Sequence, residues 1–349
     1  MKRAFAEINL RKVAENLETY HAKLSRGTEI LGVVKADAYG HGAPAVAKKL
    51  AASGVNYFGV AWLSEAQELR QSGITAPILI FSQPAEQYIP HLIELAVAQT
   101  VYDYAFVERL AAAAPDKVKV HVKVDTGMNR VGLRPQDLPE FLRKVKNLKN
   151  IEVEGLFTHL ACLDAAGQKQ LEKFAACLAA AQEILPDIKY IHALSSQALL
   201  VFPQAQYNMV RLGIGLYRGA LAFKSRVMAV KTIPAGESVS YGATFTAPKP
   251  TRLATISAGY ADGLSRLLSN RGRVLINGRS CKLCGNICMD MCLAVVDDSV
   301  SAGDEVVLIG RQGGAEITAQ ELADLTGTID YEIMCGIGKR VPRFYADTE

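Results

Sequence analysis

Apolar residues along the first 213 positions of this chain gather in short, unbroken runs. Eight stand out: 30–35 (ILGVVK), 56–61 (NYFGVA), 77–81 (PILIF), 99–102 (QTVY), 119–124 (KVHVKV), 154–159 (EGLFTH), 190–194 (YIHAL) and 209–213 (MVRLG). Most are continuously apolar, the pattern of strands buried on both faces of a parallel sheet. Between them, apolar residues recur with helical spacing at 43–52, 64–72, 137–146 and 168–185. Strand and helix alternating eight times predicts an α/β fold, an N-terminal (β/α)8 TIM-like barrel, with a doubly wound open sheet as the competing arrangement.

After residue 218 the texture changes. Short strand-like runs at 227–233, 252–256, 273–276, 291–296 and 305–309 are separated by turn signals: Pro234-Ala235-Gly236, Asn277-Gly278 and Ala302-Gly303-Asp304. One helix is expected at 318–325 behind a Thr318 N-cap. The pattern divides the chain into a barrel at 1–225 and a mainly β C-terminal domain at 226–349, with no Gly/Ser/Pro linker between them.

A length of 349 residues fits two domains at about 150 residues each. With 50% hydrophobic and 21% charged residues, the chain can bury a large core and is not a disordered sequence. The net charge of +4 comes from interspersed residues without a dense basic block, so no nucleic-acid partner is expected. No uncharged apolar run approaches the ~18 residues of a membrane span, and Glu7, Asn9 and Arg11 interrupt any signal-peptide segment. Seven cysteines, several in apolar runs, suggest reduced thiols and a cytoplasmic setting.

The sharpest local feature is Val33-Val34-Lys35-Ala36-Asp37-Ala38-Tyr39-Gly40-His41-Gly42. A lysine closing a buried strand is costly to keep charged, and its amine is suited to attack carbonyl compounds. In a barrel, the carboxyl ends of strands carry the active site. A lysine snorkelling at the rim is the competing reading.

The run VVKADAYGHG resembles the cofactor segment of the alanine racemases. Further runs match that family in order: Lys123-Val124-Asp125-Thr126-Gly127-Met128-Asn129-Arg130, Thr158-His159, Val210-Arg211-Leu212-Gly213-Ile214, Ser240-Tyr241-Gly242, Ser257-Ala258-Gly259-Tyr260-Ala261-Asp262-Gly263 and Cys288-Met289-Asp290. The resemblance implies interconversion of L- and D-alanine on pyridoxal 5′-phosphate, linked to Lys35 as an aldimine. It implies two bases, Lys35 on one face of Cα and Tyr260, from the partner subunit of a head-to-tail homodimer, on the other. By the same resemblance, Arg211 faces the pyridine nitrogen, and His159 packs on the cofactor ring. Tyr39, Ser196, Gly213 and Ile214 hold the phosphate. Arg130 approaches the substrate, Met289 and Asp290 approach the substrate site of the partner subunit, Met289 through its backbone N–H, and Lys123 matches a lysine that some members carbamylate. The reaction would supply or consume D-alanine for peptidoglycan.

Residue by residue, blander readings compete: a rim salt bridge for Arg211, a surface loop for Arg130, a satisfied structural imidazole for His159, and an ordinary buried side chain for Tyr260. The Ser195-Ser196 pair reads as a helix N-cap as well as a phosphate contact, with Ser196 able to serve as both. Departures from the family are Lys339 in place of a phosphate-binding tyrosine, Ser195-Ser196 where many members have Asn-Ser, and Asn286 in place of an arginine. Cys281, Cys284, Cys288 and Cys292 lack the two-knuckle spacing of a zinc site, so no metal is expected. Two alternatives use the same scaffold, a broad-specificity amino-acid racemase and a related decarboxylase. A non-catalytic pyridoxal phosphate-binding protein is a third; such carriers are typically a single barrel, and the second domain counts against it.

Overall fold

The apolar runs become strands because each can pair on both edges and pack on both faces. In the computed structural model, which describes residues 3–346, the eight are Glu29–Val33, Tyr57–Val60, Ile78–Ile80, Ala98–Val101, Val118–Lys123, Ile151–Phe157, Tyr190–His192 and Met209–Leu212. Each of the first six pairs in parallel with the next in chain order, with registers such as Leu31↔Tyr57, Phe58↔Ile78 and Gly155↔Tyr190. The last strand returns to the first, Ile30↔Val210. A single parallel bridge, Ser195↔Arg211, and the hydrogen bond from Arg211 N–H to the Leu194 carbonyl (3.0 Å) join it to the seventh. The sheet is therefore a nearly closed parallel barrel, and the open doubly wound alternative is excluded.

Helices form where the 3.6-residue period gives one apolar face. Ala43–Ala52 buries Ala43, Val46, Ala47 and Leu50, and Leu138–Val145 buries Leu138, Phe141, Leu142 and Val145. A fully buried aliphatic side chain of this kind contributes about 1.5–3 kcal/mol. Asp103 and Asp164 start the helices Tyr104–Ala113 and Ala165–Ile184 by accepting from backbone N–H groups of their first turns.

In space the chain forms two compact bodies. One holds residues 14–38 and 43–216; the other holds, of the described residues, 3–13, 39–42 and 217–346. The second body is mainly β. Among the described residues its main sheet has nine strands, centred on the 13-residue strand Leu221–Ile233. The first half of that strand pairs with Phe5–Asn9 and Glu305–Gln312, and the second half with Thr251–Ile256. A register shift between Val227 and Ala229 separates the two halves. Phe5–Asn9 and Arg343–Ala346, which the apolar pattern did not single out, lie parallel as neighbours in this sheet. The expected Asn277-Gly278 turn is a two-residue hairpin with both residues at positive φ (52° and 73°), the geometry that favours these residue types. Thr318 caps Ala319–Thr326 by accepting from Glu321 N–H.

No helix among the described residues is long and apolar enough to cross a membrane.

Candidate active site

Lys35 stands two residues beyond the end of the first barrel strand rather than within it. It opens a left-handed turn in which Ala36, Asp37, Ala38 and Tyr39 all have φ between 52° and 55°. L-residues pay about 1–2 kcal/mol each for this conformation, and a run of four is rare. Three hydrogen bonds oppose the cost. Ala36 N–H donates to the Glu65 carboxylate (2.7 Å), Ala38 N–H to the Val34 carbonyl (2.9 Å), and Ala43 N–H to Asp37 (2.7 Å). The same Glu65 carboxylate also accepts from Ala61 and Trp62 N–H, tying the turn to the end of the second barrel strand. Tyr39 is buried in the β-rich body, its ring 5.1 Å from that of Tyr217 and 6.0 Å from that of Tyr331.

Lys35 is one of a group of basic side chains at the carboxyl ends of the strands. Lys123, at the end of the fifth, is buried; desolvation, then the charges of Arg130, Arg211 and Lys35, pull its pKa down to about 8. His159 follows the sixth strand. Desolvation, together with Arg211, Arg130, Lys123 and Lys35, holds it neutral down to about pH 3. Arg211 is buried in the last strand and desolvation lowers it to about 9, still charged at neutral pH. Its guanidinium donates to the carbonyls of Thr158 (2.8 Å), His192 (3.0 Å) and Ala193 (2.9 Å), and to Nδ1 of His192 (2.8 Å) and of His159 (3.2 Å). The rim salt bridge considered for Arg211 is not what the structure contains: none of these acceptors is a carboxylate.

Asp125 is the carboxylate that acts on Lys123, and it is engaged by its own loop. It accepts from the N–H groups of Gly127 (2.9 Å) and Asn129 (3.0 Å), and although partial burial alone would raise it, these bonds hold its pKa down. Arg130 lies on this loop and is exposed, with its charge reaching both Lys123 and His159. Converging cations with so little opposing charge make a site for an anion.

The strand-seven and strand-eight loops form a hydrogen-bonded knot. The buried Ser196 hydroxyl accepts from Gly213 N–H (2.9 Å) and Gly215 N–H (3.4 Å), and Ile214 is buried beside it in the chain. Ser196 is not the helix cap. Ser195 is, accepting from Ala198 N–H.

The β-rich body presents Tyr260, Met289 and Asp290 together. Tyr260 opens a one-turn 3₁₀ helix, and its N–H donates to the Cys288 carbonyl (3.0 Å), while Ala261 N–H donates to that of Met289 (3.0 Å). A Cβ at Gly259 would collide with those two carbonyl oxygens, so the motif needs glycine there. Tyr260 is 43% exposed and Met289 53%, which rules out the ordinary buried tyrosine considered from sequence. Sequence reasoning passed over the carboxylate holding this turn. Asp262 is fully buried, accepts from Gly259 N–H (2.9 Å), and pairs with Arg3 and Arg340. It lies inside the SAGYADG motif, and an acidic residue between two glycines was the available signal. Lys339 is exposed, and Asn286 donates to the Tyr241 carbonyl (2.8 Å).

The cysteines belong to different packing groups: Cys281 and Cys292 join one apolar cluster, Cys284 another, and Cys288 contacts the Ser240 hydroxyl. Among the described residues no group of three or more His, Cys, Asp or Glu side chains is arranged to hold a metal ion.

Known proteins place this arrangement in a family. The model of the alanine racemase N-terminal domain matches residues 8–220, and that of the C-terminal domain matches residues 220–345. An alanine racemase of Symbiobacterium thermophilum is 41% identical, covering 99% of this chain and 97% of its own length. The crystal structure of alanine racemase from E. faecalis superposes with a TM-score of 0.94 at 34% identity, covering 99% of this chain and 98% of its own. The alanine racemase of Bartonella henselae, described with covalently bound pyridoxal phosphate, superposes at 0.90 with 28% identity over 99% of this chain and all of its own. With both domain models matched in order and full-length relatives above one-third identity, the chain belongs to the alanine racemase family, a family of isomerases.

Proposed function

We propose that this chain interconverts L- and D-alanine with pyridoxal 5′-phosphate held at the mouth of the barrel. The observation that carries the reading is the set Lys35, Lys123, Arg130, Arg211 and neutral His159, cationic as a group and poor in opposing charge. A primary amine among anion-binding groups is the donor set that a phosphate-bearing aldehyde requires, so the residues fit the cofactor. When bound, pyridoxal phosphate supplies an electron sink that makes the Cα–H of an attached amino acid acidic.

The chain's own residues do the rest. Lys35 gives the covalent attachment and the proton-transfer group on one face of Cα. Tyr260 of the partner subunit, in a head-to-tail homodimer, gives the group on the opposite face; its exposure suits a side chain that leaves its own subunit. Arg211 remains charged at neutral pH and therefore donates a hydrogen bond to the ring nitrogen rather than exchanging a proton with it. His159, kept neutral, offers a flat face to the ring. Tyr39, Ser196 and the backbone at Gly213 and Ile214 hold the phosphate, Ser196 having its hydroxyl hydrogen left to donate once its oxygen has accepted. Arg130 takes the substrate carboxylate, with Met289 and Asp290 of the partner subunit bounding the site. Lys123, with a pKa of about 8, has enough free amine near neutral pH to react with carbon dioxide, a modification that carbon-13 bicarbonate labelling would read. The reaction supplies or consumes D-alanine for peptidoglycan, in a cytoplasm whose reducing conditions suit seven free cysteines.

The test is chiral. Purified protein with pyridoxal phosphate is given each L-amino acid in turn and the D-enantiomer is measured. D-Alanine should form fastest. Failure to form it, with or without racemisation of another amino acid, overturns the reading.

A further inference from the structure

Beneath the candidate site, four side chains from four barrel strands form one line of hydrogen bonds. Arg211 Nη1 lies 2.8 Å from Nδ1 of His192, His192 Nε2 lies 2.9 Å from Nδ1 of His121, and His121 Nε2 lies 3.3 Å from Oε2 of Glu154. Glu154 also accepts from the Tyr57 hydroxyl at Oε2 (2.9 Å) and from Lys119 Nζ at Oε1 (2.6 Å). Both imidazoles are completely buried, and Glu154, Tyr57 and Arg211 nearly so; Lys119, at the amino end of its strand, is the member that reaches solvent.

The line has one possible direction. A guanidinium can only donate, so His192 must accept at Nδ1 and carry its proton on Nε2. That proton points at His121, which must therefore accept at Nδ1 and carry its own proton on Nε2, facing Glu154. The far end agrees: the Tyr57 hydroxyl, 3.2 Å from the same Nε2, gives its own proton to Glu154, an ionised carboxylate that can only accept, so both groups facing His121 Nε2 are left as acceptors. Burial would raise Glu154, but its bonds from His121, Lys119 and Tyr57 outweigh this and hold it at about 2. Burial likewise keeps both histidines neutral. A protonated ring at either place would set donor against donor.

We infer that Glu154 is a positioning residue for Arg211, acting through the neutral pair His121 and His192, which it locks as their Nε2–H tautomers. The line itself stands on the barrel alone; its catalytic consequence, a guanidinium fixed toward the cofactor's ring nitrogen, rests on the proposed function. Glu154→Met removes the acceptor, leaving His121 free to invert and present a proton to His192, which then presents one to Arg211. Glu154→Gln can keep an oxygen on His121 and should restore the line.

Nitrogen-15 spectra of the histidine side chains, taken on the cofactor-free full chain at neutral pH, decide the first part. Neutral His121 and His192 with protons on Nε2 are expected; an Nδ1 proton or an imidazolium at either residue overturns the inference, whatever the enzyme's substrate. In the holoenzyme, Glu154→Met should change the pH dependence of the bound cofactor's absorbance. It should also lower kcat about tenfold with little change in KM, the size expected of a slightly misplaced group, with Glu154→Gln near the parent. An unchanged spectrum and kcat in Glu154→Met, beside intact wild-type tautomers, would show that the line does not position Arg211.

Discussion

Arg340 Nε lies 2.8 Å from Oδ1 of Asp262, a carboxylate with no exposed side-chain surface. The other arm of the same guanidinium reaches Asp290 at 2.7 Å. Arg340 thus joins the turn that carries Tyr260 to the segment that carries Met289 and Asp290, and Arg3 does the same, pairing with both Asp262 oxygens and reaching the Asp290 carbonyl (3.3 Å).

Asp262→Asn should keep the fold and loosen this turn. The amide cannot compensate two guanidinium groups, and a small displacement of a reacting group costs on the order of 10²-fold in rate. We expect kcat for alanine to fall between tenfold and a hundredfold, with the bound cofactor spectrum unchanged. A kcat equal to that of the parent would mean the turn is held by its backbone bonds alone.

Tyr260→Phe tests the second base. The variant should retain the yellow cofactor and lose 10²- to 10⁴-fold in racemisation, the usual worth of a positioned acid–base group. Because the phenyl ring keeps the shape of the side chain, unchanged turnover would remove Tyr260 from proton transfer.

The barrel was legible because its strands are short apolar runs, and each of the eight became a strand within a few residues of its expected place. Phe5–Asn9 and Arg343–Ala346 were not, since each is a short strand whose partners lie hundreds of residues away in sequence. Lys35 stood out as a lysine at the end of a buried strand, but nothing in Ala-Asp-Ala-Tyr announces a left-handed turn; beside the local acceptors Val34 and Asp37, the charged one that receives Ala36 N–H is Glu65, a residue outside the motif. His121 and His192 were hidden inside the runs KVHVKV and YIHAL, although strand alternation already places residues 119, 121 and 123 on one face. Their partners depend on neighbouring strands, which no single run reveals.

Glu65→Ala should destabilise the left-handed turn. Three backbone N–H groups lose a charged acceptor, and losing such bonds costs about 2 kcal/mol or more. Urea denaturation of the cofactor-free chain should show the loss, and cofactor retention through gel filtration should fall with it. Parent-like stability and retention would mean that Ala36 is held by other contacts.

His159 sets an acid limit. Its folded pKa, lowered to about 3 first by burial and then by the neighbouring cations, lies below the ordinary value of 6.5. Above pH 6.5 the ring is neutral in both folded and unfolded chains, so it contributes no pH dependence. Between pH 6.5 and 3 the unfolded chain binds a proton that the folded chain refuses, and stability falls as pH falls, by roughly 1.4 kcal/mol per pH unit. His159→Gln should remove that slope from the difference between urea curves at pH 6, 5 and 4. Parallel curves for parent and variant would show that the ring protonates freely in the folded state.

Lys35 is the residue on which the whole account turns. Holoenzyme is reduced with borohydride, its racemase activity is measured, and the protein is digested to locate the fixed cofactor by mass spectrometry. Attachment through Lys35 requires complete loss of activity and a single pyridoxyl adduct on the peptide containing Lys35. Activity that survives reduction, or an adduct on any other lysine, would contradict it.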